Sequence, residues 1–304
     1  MRFAILFPDI SPDLFAIAIG GFEFALRWYA LAYIAGLLLG WWVIVRAVKR
    51  ADLWPDNTAP MRPEQVEGLL TAVVLGVIIG GRLGFVLFYQ PGYYLQNPLE
   101  IPQIWQGGMA FHGGLIGVAV AAWLFCRSNG IRPVHVADAM SLVIGFGLLL
   151  GRIANFINAE LWGRPTDAPW GVIFPGTLAQ DCPGPVGLVE IGGQVLCARH
   201  PSQLYEAALE GALLLILAFY LVYRRGWFKT PGAITGVFLA TYGIGRFLVE
   251  LVRQPNIEFV TPDNPIGYAI LVTPDIGLTM GQILSLPMIV IGLGLIVVAR
   301  RRAA

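Results

Sequence analysis

Four arginines and a histidine lie where an apolar chain has little reason to keep them. Arg27, Arg82, Arg152, Arg246 and His112 all fall inside, or at the ends of, long hydrophobic runs. A charge at the centre of a hydrocarbon layer costs at least about 2.5–3.5 kcal/mol, so charged groups in such runs mark ligand or ion sites. Arg152 and Asn155 are three residues apart and share a helix face, with Asn158 and Glu160 just beyond. Tyr242, Arg246 and Glu250 form an i, i+4, i+8 stripe of phenol, guanidinium and carboxylate. His112 precedes Gly113-Gly114, where missing side chains open the backbone to close approach. Arginine is the side chain suited to bidentate contact with phosphate. The chemistry on offer is therefore anion binding, with an imidazole beside it as a candidate base. Taken singly, each group also has a structural reading. Glu23/Arg27 and Arg246/Glu250 are i, i+4 pairs that can neutralise one another. Arg82 can extend to lipid headgroups, and a lone histidine at a span end is more often an interfacial hydrogen bonder than a base.

The elements that must position these groups follow from composition. The chain has 304 residues, 57% hydrophobic and 13% charged, with a mean hydropathy of +0.69. A soluble domain carries about 25% charged residues, so this chain cannot keep a water-facing surface wetted. A soluble enzyme and a disordered chain are excluded, and a net charge of +1 leaves no basic field for nucleic acid. Seven runs are long enough for spans of about 20 residues: 22–45, 66–88, 112–126, 136–157, 205–223, 233–252 and 280–299. The expectation is an all-α integral membrane protein, a seven-transmembrane-helix bundle forming one membrane domain over 1–304. The N-terminal run is too short for a cleaved signal peptide and reads as an interfacial segment entering the first span. Short connections on one side hold 12 of the 20 Lys and Arg residues. The alternate side holds Arg2, Arg164, Arg199 and Arg253. The positive-inside rule then puts the N-terminus out and the C-terminus in. The outward segment at about 158–204 forms a small periplasmic head, which holds Cys182 and Cys197, and a disulfide between them is one option. Gly76 to Gly80 and Gly113 to Gly117 read as close helix packing. With this topology the five basic groups gather at one depth in the outer leaflet. Together they read as a site for an anion with an apolar part, most simply a phospholipid headgroup.

The stretch from Gly151 to Arg164, GRIANFINAELWGR, resembles the signature of the bacterial prolipoprotein diacylglyceryl transferases. Gly107 to Gly117, His200 to Glu206, Tyr242 to Phe247, Gly80-Gly81-Arg82 and Tyr89 also fit, so the likeness covers nearly the whole chain. The resemblance implies transfer of the diacylglyceryl group of phosphatidylglycerol to the lipobox cysteine of a prolipoprotein, in the cell inner membrane, with no cofactor. It implies that His112 is the base, that Arg152 binds the lipid phosphate, and that Arg246 serves the same charge or a second lipid. Asn155, Glu160 and Gly163 would hold the headgroup or the loop shape, Tyr242 and Glu250 would orient Arg246, and Tyr29 and Tyr89 would line the pocket. An arginine acting directly on the thiolate, with His112 placing the lipid, remains an equal division of roles. Against an anion transporter, the sequence shows no inverted repeat and no second charged layer.

Overall fold

The computed structural model describes residues 4–20, 22–255, 257–273 and 276–303; Arg2 and the side chain of Glu23 fall outside that set. Strands β1 (Ile5–Leu6), β2 (Asp13–Ile19) and β3 (Phe22–Arg27) precede α1 (Trp28–Val48). Helices α2 (Pro63–Phe88), α3 (Pro91–Gln96), α4 (Phe111–Asn129) and α5 (Pro133–Ile157) follow. Next come β4 (Val172–Ile173), β5 (Leu188–Ile191) and β6 (Gln194–Cys197). Helix α6 (Ser202–Glu206) runs through a π-helical stretch (Ala207–Ala212) into α7 (Leu213–Arg225). After α8 (Ala233–Val249), β7 (Ile270–Thr273) and β8 (Ile276–Leu278) lead to α9 (Met280–Ala303).

Among the described residues, six helices are long and apolar enough to cross a membrane: Trp28–Val48, Pro63–Phe88, Phe111–Asn129, Pro133–Ile157, Ser202–Arg225 and Met280–Arg302. Helix α8 is apolar but shorter, at 17 residues. The run expected as a helix over 22–45 starts later. Its first residues pair as a hairpin, Ile19 opposite Phe22, with Gly20 reversing the chain at φ +58°. Arg27 therefore ends a strand and meets Asp13 across the ladder at 3.3 Å, while the side chain of its expected partner Glu23 lies outside the described residues. The N-terminal segment is also not a lead-in to α1: β1 runs parallel to β4 and so belongs to the head.

Glycine lets the helices close up. A Cβ at Gly84 would stand 2.7 Å from Gly113 Cα, and one at Gly76 would be 2.9 Å from the Ala121 Cβ, so α2 and α4 touch backbone to backbone as the glycine runs suggest. The α8–α9 contact is alike, a Cβ at Gly236 standing 2.7 Å from Gly292 O. At the end bearing the Lys- and Arg-rich connections, Trp54 is fully buried, stacks on Phe228 at 4.2 Å and donates its indole N–H to Ala47 O at 3.0 Å. Buried Asp138 of α5 accepts from Gly232 N, Thr235 N and the Thr235 hydroxyl at 2.6–2.8 Å, tying α5 to the start of α8. These contacts fix the far ends of α5 and α8, whose near ends carry the site.

In the head, Arg199 is 2% exposed and acts as its post. It donates to Ala179 O at 2.6 Å, Gly163 O at 3.3 Å and the Gln254 side chain at 3.0 Å, also bonds Asp181 O, and lies over the Trp162 ring at 4.1 Å. Burial lowers its pKa, with the Asp181 charge pulling it back up. Cys182 and Cys197 are joined as a disulfide.

Candidate active site

Helix α5 carries Arg152, and α8 carries Arg246, to the same point, where the carboxylate of Glu206 at the end of α6 stands between them. Arg152 Nε lies 2.8 Å from one Glu206 oxygen and Arg246 lies 3.1 Å from the other. Arg253, just past α8, reaches the second oxygen at 3.7 Å. Glu250 closes the far side of Arg246 at 2.6 Å, the i, i+4 partnership expected from spacing. Glu210, fully buried, stands 4.0 Å from Arg152. Glu206 immediately precedes, and Glu210 lies within, the stretch where the helix adopts π geometry, a form that is rare and frequently found at functional sites. Three guanidiniums and three carboxylates thus meet in a pocket largely withdrawn from solvent, where charge–charge energies exceed those in water several-fold.

A polar chain leads from this cluster to the head. Arg152 approaches Asn155 Oδ1 at 3.5 Å, and the Asn155 amide donates to the Glu160 carboxylate at 2.7 Å. Asn158 donates to the same carboxylate oxygen at 3.3 Å, and Gln203 donates to Glu160 O at 2.6 Å. The helix stops here because Ala159 (φ +52°) and Leu161 (φ +58°) turn left-handed. Gly163 forms a seam: its N–H donates to His200 O at 2.8 Å, and an added Cβ would stand 2.5 Å from Val252 O and 2.8 Å from the His200 Cβ. Arg164 holds the other side of the seam through Arg253 O at 2.9 Å and Ile266 O at 3.0 Å.

An apolar cavity of about 400 Å³ lies between α1, α2, α4 and α5, with Tyr33, Leu115 and Gly147 among its walls. Tyr29, His112 and Arg152 each sit a turn or so beyond one of those three residues, all toward the same rim. Tyr29 meets Tyr33 hydroxyl to hydroxyl at 3.0 Å. The site is therefore amphipathic: a guanidinium cluster at the rim and a hydrocarbon-lined hollow below it.

The structure brings Arg152, Asn155, Glu160, Gly163, Arg246 and Glu250 into one connected region, with Tyr242 one helical turn before Arg246 on α8. His112 is exposed at the start of α4, its ring beside Phe111. Among the described residues no hydrogen bond or ion pair joins it to the arginines. Tyr89 caps α2, exposed, with its ring stacked on Phe85 at 5.5 Å. The expected gathering of five basic groups is corrected at two of them. Arg27 is tied to Asp13 outside the bundle. Arg82 spends its donors on the carbonyls of Glu100, Ile101, Gly107 and Gly108 at 2.6–3.3 Å, which pins the irregular loop before α4 to the end of α2. Arg82 thereby fixes the segment that delivers His112. Sequence reasoning missed Glu206, Glu210 and Arg253 as site residues. The available signal was two glutamates four apart in an apolar run with no basic residue at helical spacing from either.

Fold and site together define a multi-pass membrane protein with a buried arginine–carboxylate cluster among its helices. Residues 15–298 match the family model of prolipoprotein diacylglyceryl transferase, and the chain belongs to that family. It is 62% identical over 300 residues to a phosphatidylglycerol–prolipoprotein diacylglyceryl transferase of Ruegeria pomeroyi, covering 99% of each chain. A protein of the same description from Roseobacter denitrificans is 58% identical with both chains fully covered. Another, from Rhizobium meliloti, is 45% identical over 100% of this chain and 97% of its own.

Proposed function

We propose that the chain moves the diacylglyceryl group of phosphatidylglycerol onto the lipobox cysteine thiol of a prolipoprotein, forming a thioether and releasing glycerol phosphate. The observation that carries this reading is the convergence of Arg152 and Arg246 on a single anionic position, between a polar headgroup region and an apolar cavity. The sulfur attacks the glycerol carbon that bears the phosphate ester, and the carbon–oxygen electron pair leaves with the phosphate. A free thiol has a pKa of about 8.5 and reacts as the thiolate, so a base at the rim speeds the step; His112 takes that role. Charge grows on the departing phosphate, and preorganised guanidiniums stabilise it more in the transition state than in the ground state. Arg152 and Arg246 hold the phosphate, Asn155 and Glu160 receive the headgroup hydroxyls, and Glu250 and Tyr242 aim Arg246. Tyr29 and Tyr89 border the lipid path, and Gly163 keeps the head close enough to shape the site.

In this reading α8 joins the six long helices to give seven spans, with the N-terminus out, the C-terminus in and the site facing the outer leaflet of the inner membrane. The charge asymmetry of the connections supports that orientation. The test is a transfer assay with purified protein, phosphatidylglycerol vesicles and a lipobox peptide, read by product mass. A diacylglyceryl mass gain that disappears with a Cys→Ser peptide and with Arg152→Ala is expected. No gain from folded, lipid-supplied protein refutes the reaction.

A further inference from the structure

Glu206 is an odd resident for a phosphate site. It is 1% exposed, and it occupies the position between Arg152 and Arg246 that an anionic ligand would be drawn to, with Arg253 at 3.7 Å. Glu210 stands behind it, fully buried, with neither carboxylate oxygen hydrogen-bonded among the described residues. Glu250 balances Arg246 from the other side at 2.6 Å. A site built for the tightest grip on phosphate would leave its guanidiniums unneutralised, because a buried carboxylate beside a bound phosphate repels it. Three carboxylates matched to three guanidiniums serve a different end.

The reaction changes the charge of the bound phosphate. The diester of phosphatidylglycerol carries one negative charge. When the sulfur–carbon bond forms, the thiol proton goes to the base and the carbon–oxygen pair goes to the phosphate. The released monoester, with a second pKa of about 6, is close to a dianion at neutral pH. Bare arginines would hold that product more tightly than the substrate. We propose that Glu206, backed by Glu210, is the counter-charge that sets the cluster to favour a phosphodiester monoanion over a phosphomonoester dianion, so that glycerol phosphate leaves. This rests on the assignment of the phosphate to Arg152 and Arg246. Glu206 is a specificity-determining and positioning residue, acting through the arginines it contacts.

The experiment measures inhibition of transfer by glycerol phosphate and by inorganic phosphate in vesicles, for wild type, Glu206→Gln and Glu210→Gln. Glutamine keeps the shape and an acceptor oxygen while removing the charge. Each phosphate is expected to compete with phosphatidylglycerol in wild type. Glu206→Gln should lower both inhibition constants about tenfold or more, since one full charge is removed within contact distance, while KM for phosphatidylglycerol falls by less. Glu210→Gln should shift them the same way but less, and it carries the test if Glu206→Gln fails to fold, since no hydrogen bond is lost there. A folded variant with unchanged or weaker inhibition overturns the counter-charge assignment. The underlying site assignment fails separately. If phosphates do not compete in wild type and Arg152→Lys leaves both kcat and KM unaltered, the arginines are not the phosphate site and both readings fall. If Arg152→Lys relieves competition but neither glutamine variant tightens it, only the counter-charge role falls.

Discussion

Arg152→Lys separates a guanidinium fork from a point charge. Arg152 uses three directions at once: Nε to Glu206 at 2.8 Å, one terminal nitrogen toward Asn155 at 3.5 Å, and the other toward Glu210 at 4.0 Å. Lysine keeps the positive charge but places it on one atom at the end of a flexible stem, so it cannot span Glu206 and Asn155 together. If a phosphate is to be held while Asn155 stays aligned on Glu160, one charge-assisted bond must be given up. Such a bond contributes about 1.5–3 kcal/mol, which corresponds to a drop in kcat/KM of about 10- to 160-fold. The drop should appear in kcat more than in KM, because charge at the phosphate grows toward the transition state. Transfer from phosphatidylglycerol vesicles to a lipobox peptide, at saturating peptide and varied lipid, reads both constants. A lysine variant with kcat/KM within about threefold of wild type would show that only the net charge at 152 matters. The fork geometry built from α5 and α6 would then have no catalytic role.

Other outcomes follow from the same contacts. Gly163→Ala forces the seam apart, since the new Cβ meets Val252 O at 2.5 Å and the His200 Cβ at 2.8 Å; overpacking of about 1–3 kcal/mol should lower thermal stability in detergent and cut activity, and an alanine variant equal to wild type in both would refute the seam. Asp138→Ala strands the Gly232 and Thr235 donors, each costing about 1–3 kcal/mol when buried and unmatched, so the melting transition should fall markedly. Reducing the Cys182–Cys197 bond, which closes a separation of 15 residues, should destabilise the head by about 3 kcal/mol without removing any reacting group; protease nicking within 158–204 reports it. Burial holds the His200 imidazole below its ordinary pKa, so the folded protein resists its protonation while the unfolded chain accepts it near pH 6.5. Stability from this group is therefore whole above about pH 6.5 and declines as pH falls below it, and a His200→Gln variant should show a flatter acid limb in thermal melts.

What the sequence made legible, and what it hid, divides along physical lines. The helices were readable because a membrane leaves few choices: about 20 apolar residues in succession have one stable form. Arg152, Asn155 and Glu160 were readable because three- and five-residue spacings at a helix end fix their mutual position whatever the rest of the chain does. The 22–27 segment misled because it is as apolar as a span. The Gly20-Gly21 pair and the aromatic and β-branched residues around it mark a hairpin, but hydropathy alone does not register them. Arg82 and Arg27 misled for a different reason. Both stand at the ends of apolar runs, yet each is held locally: loop carbonyls take Arg82 and Asp13 takes Arg27.

The partners of the arginines were hidden because they come from elsewhere in the chain. Glu206 is 54 residues from Arg152 and 40 from Arg246, so no spacing rule links them. Only the packing of α5, α6 and α8 does, and that packing hangs on distant contacts such as the Asp138 tie to α8. One sequence-level inference was nevertheless open. A buried carboxylate must be paired or neutralised, and Glu206 and Glu210 have no basic residue within a helical turn to pair with. Their partners had to be the unclaimed arginines of other spans. Counting charges of both signs in the apolar runs, and not the basic ones alone, turns the separate arginine and glutamate runs into a single site before any coordinates are known. It also exposes the near-neutral balance on which release of the phosphate product would depend.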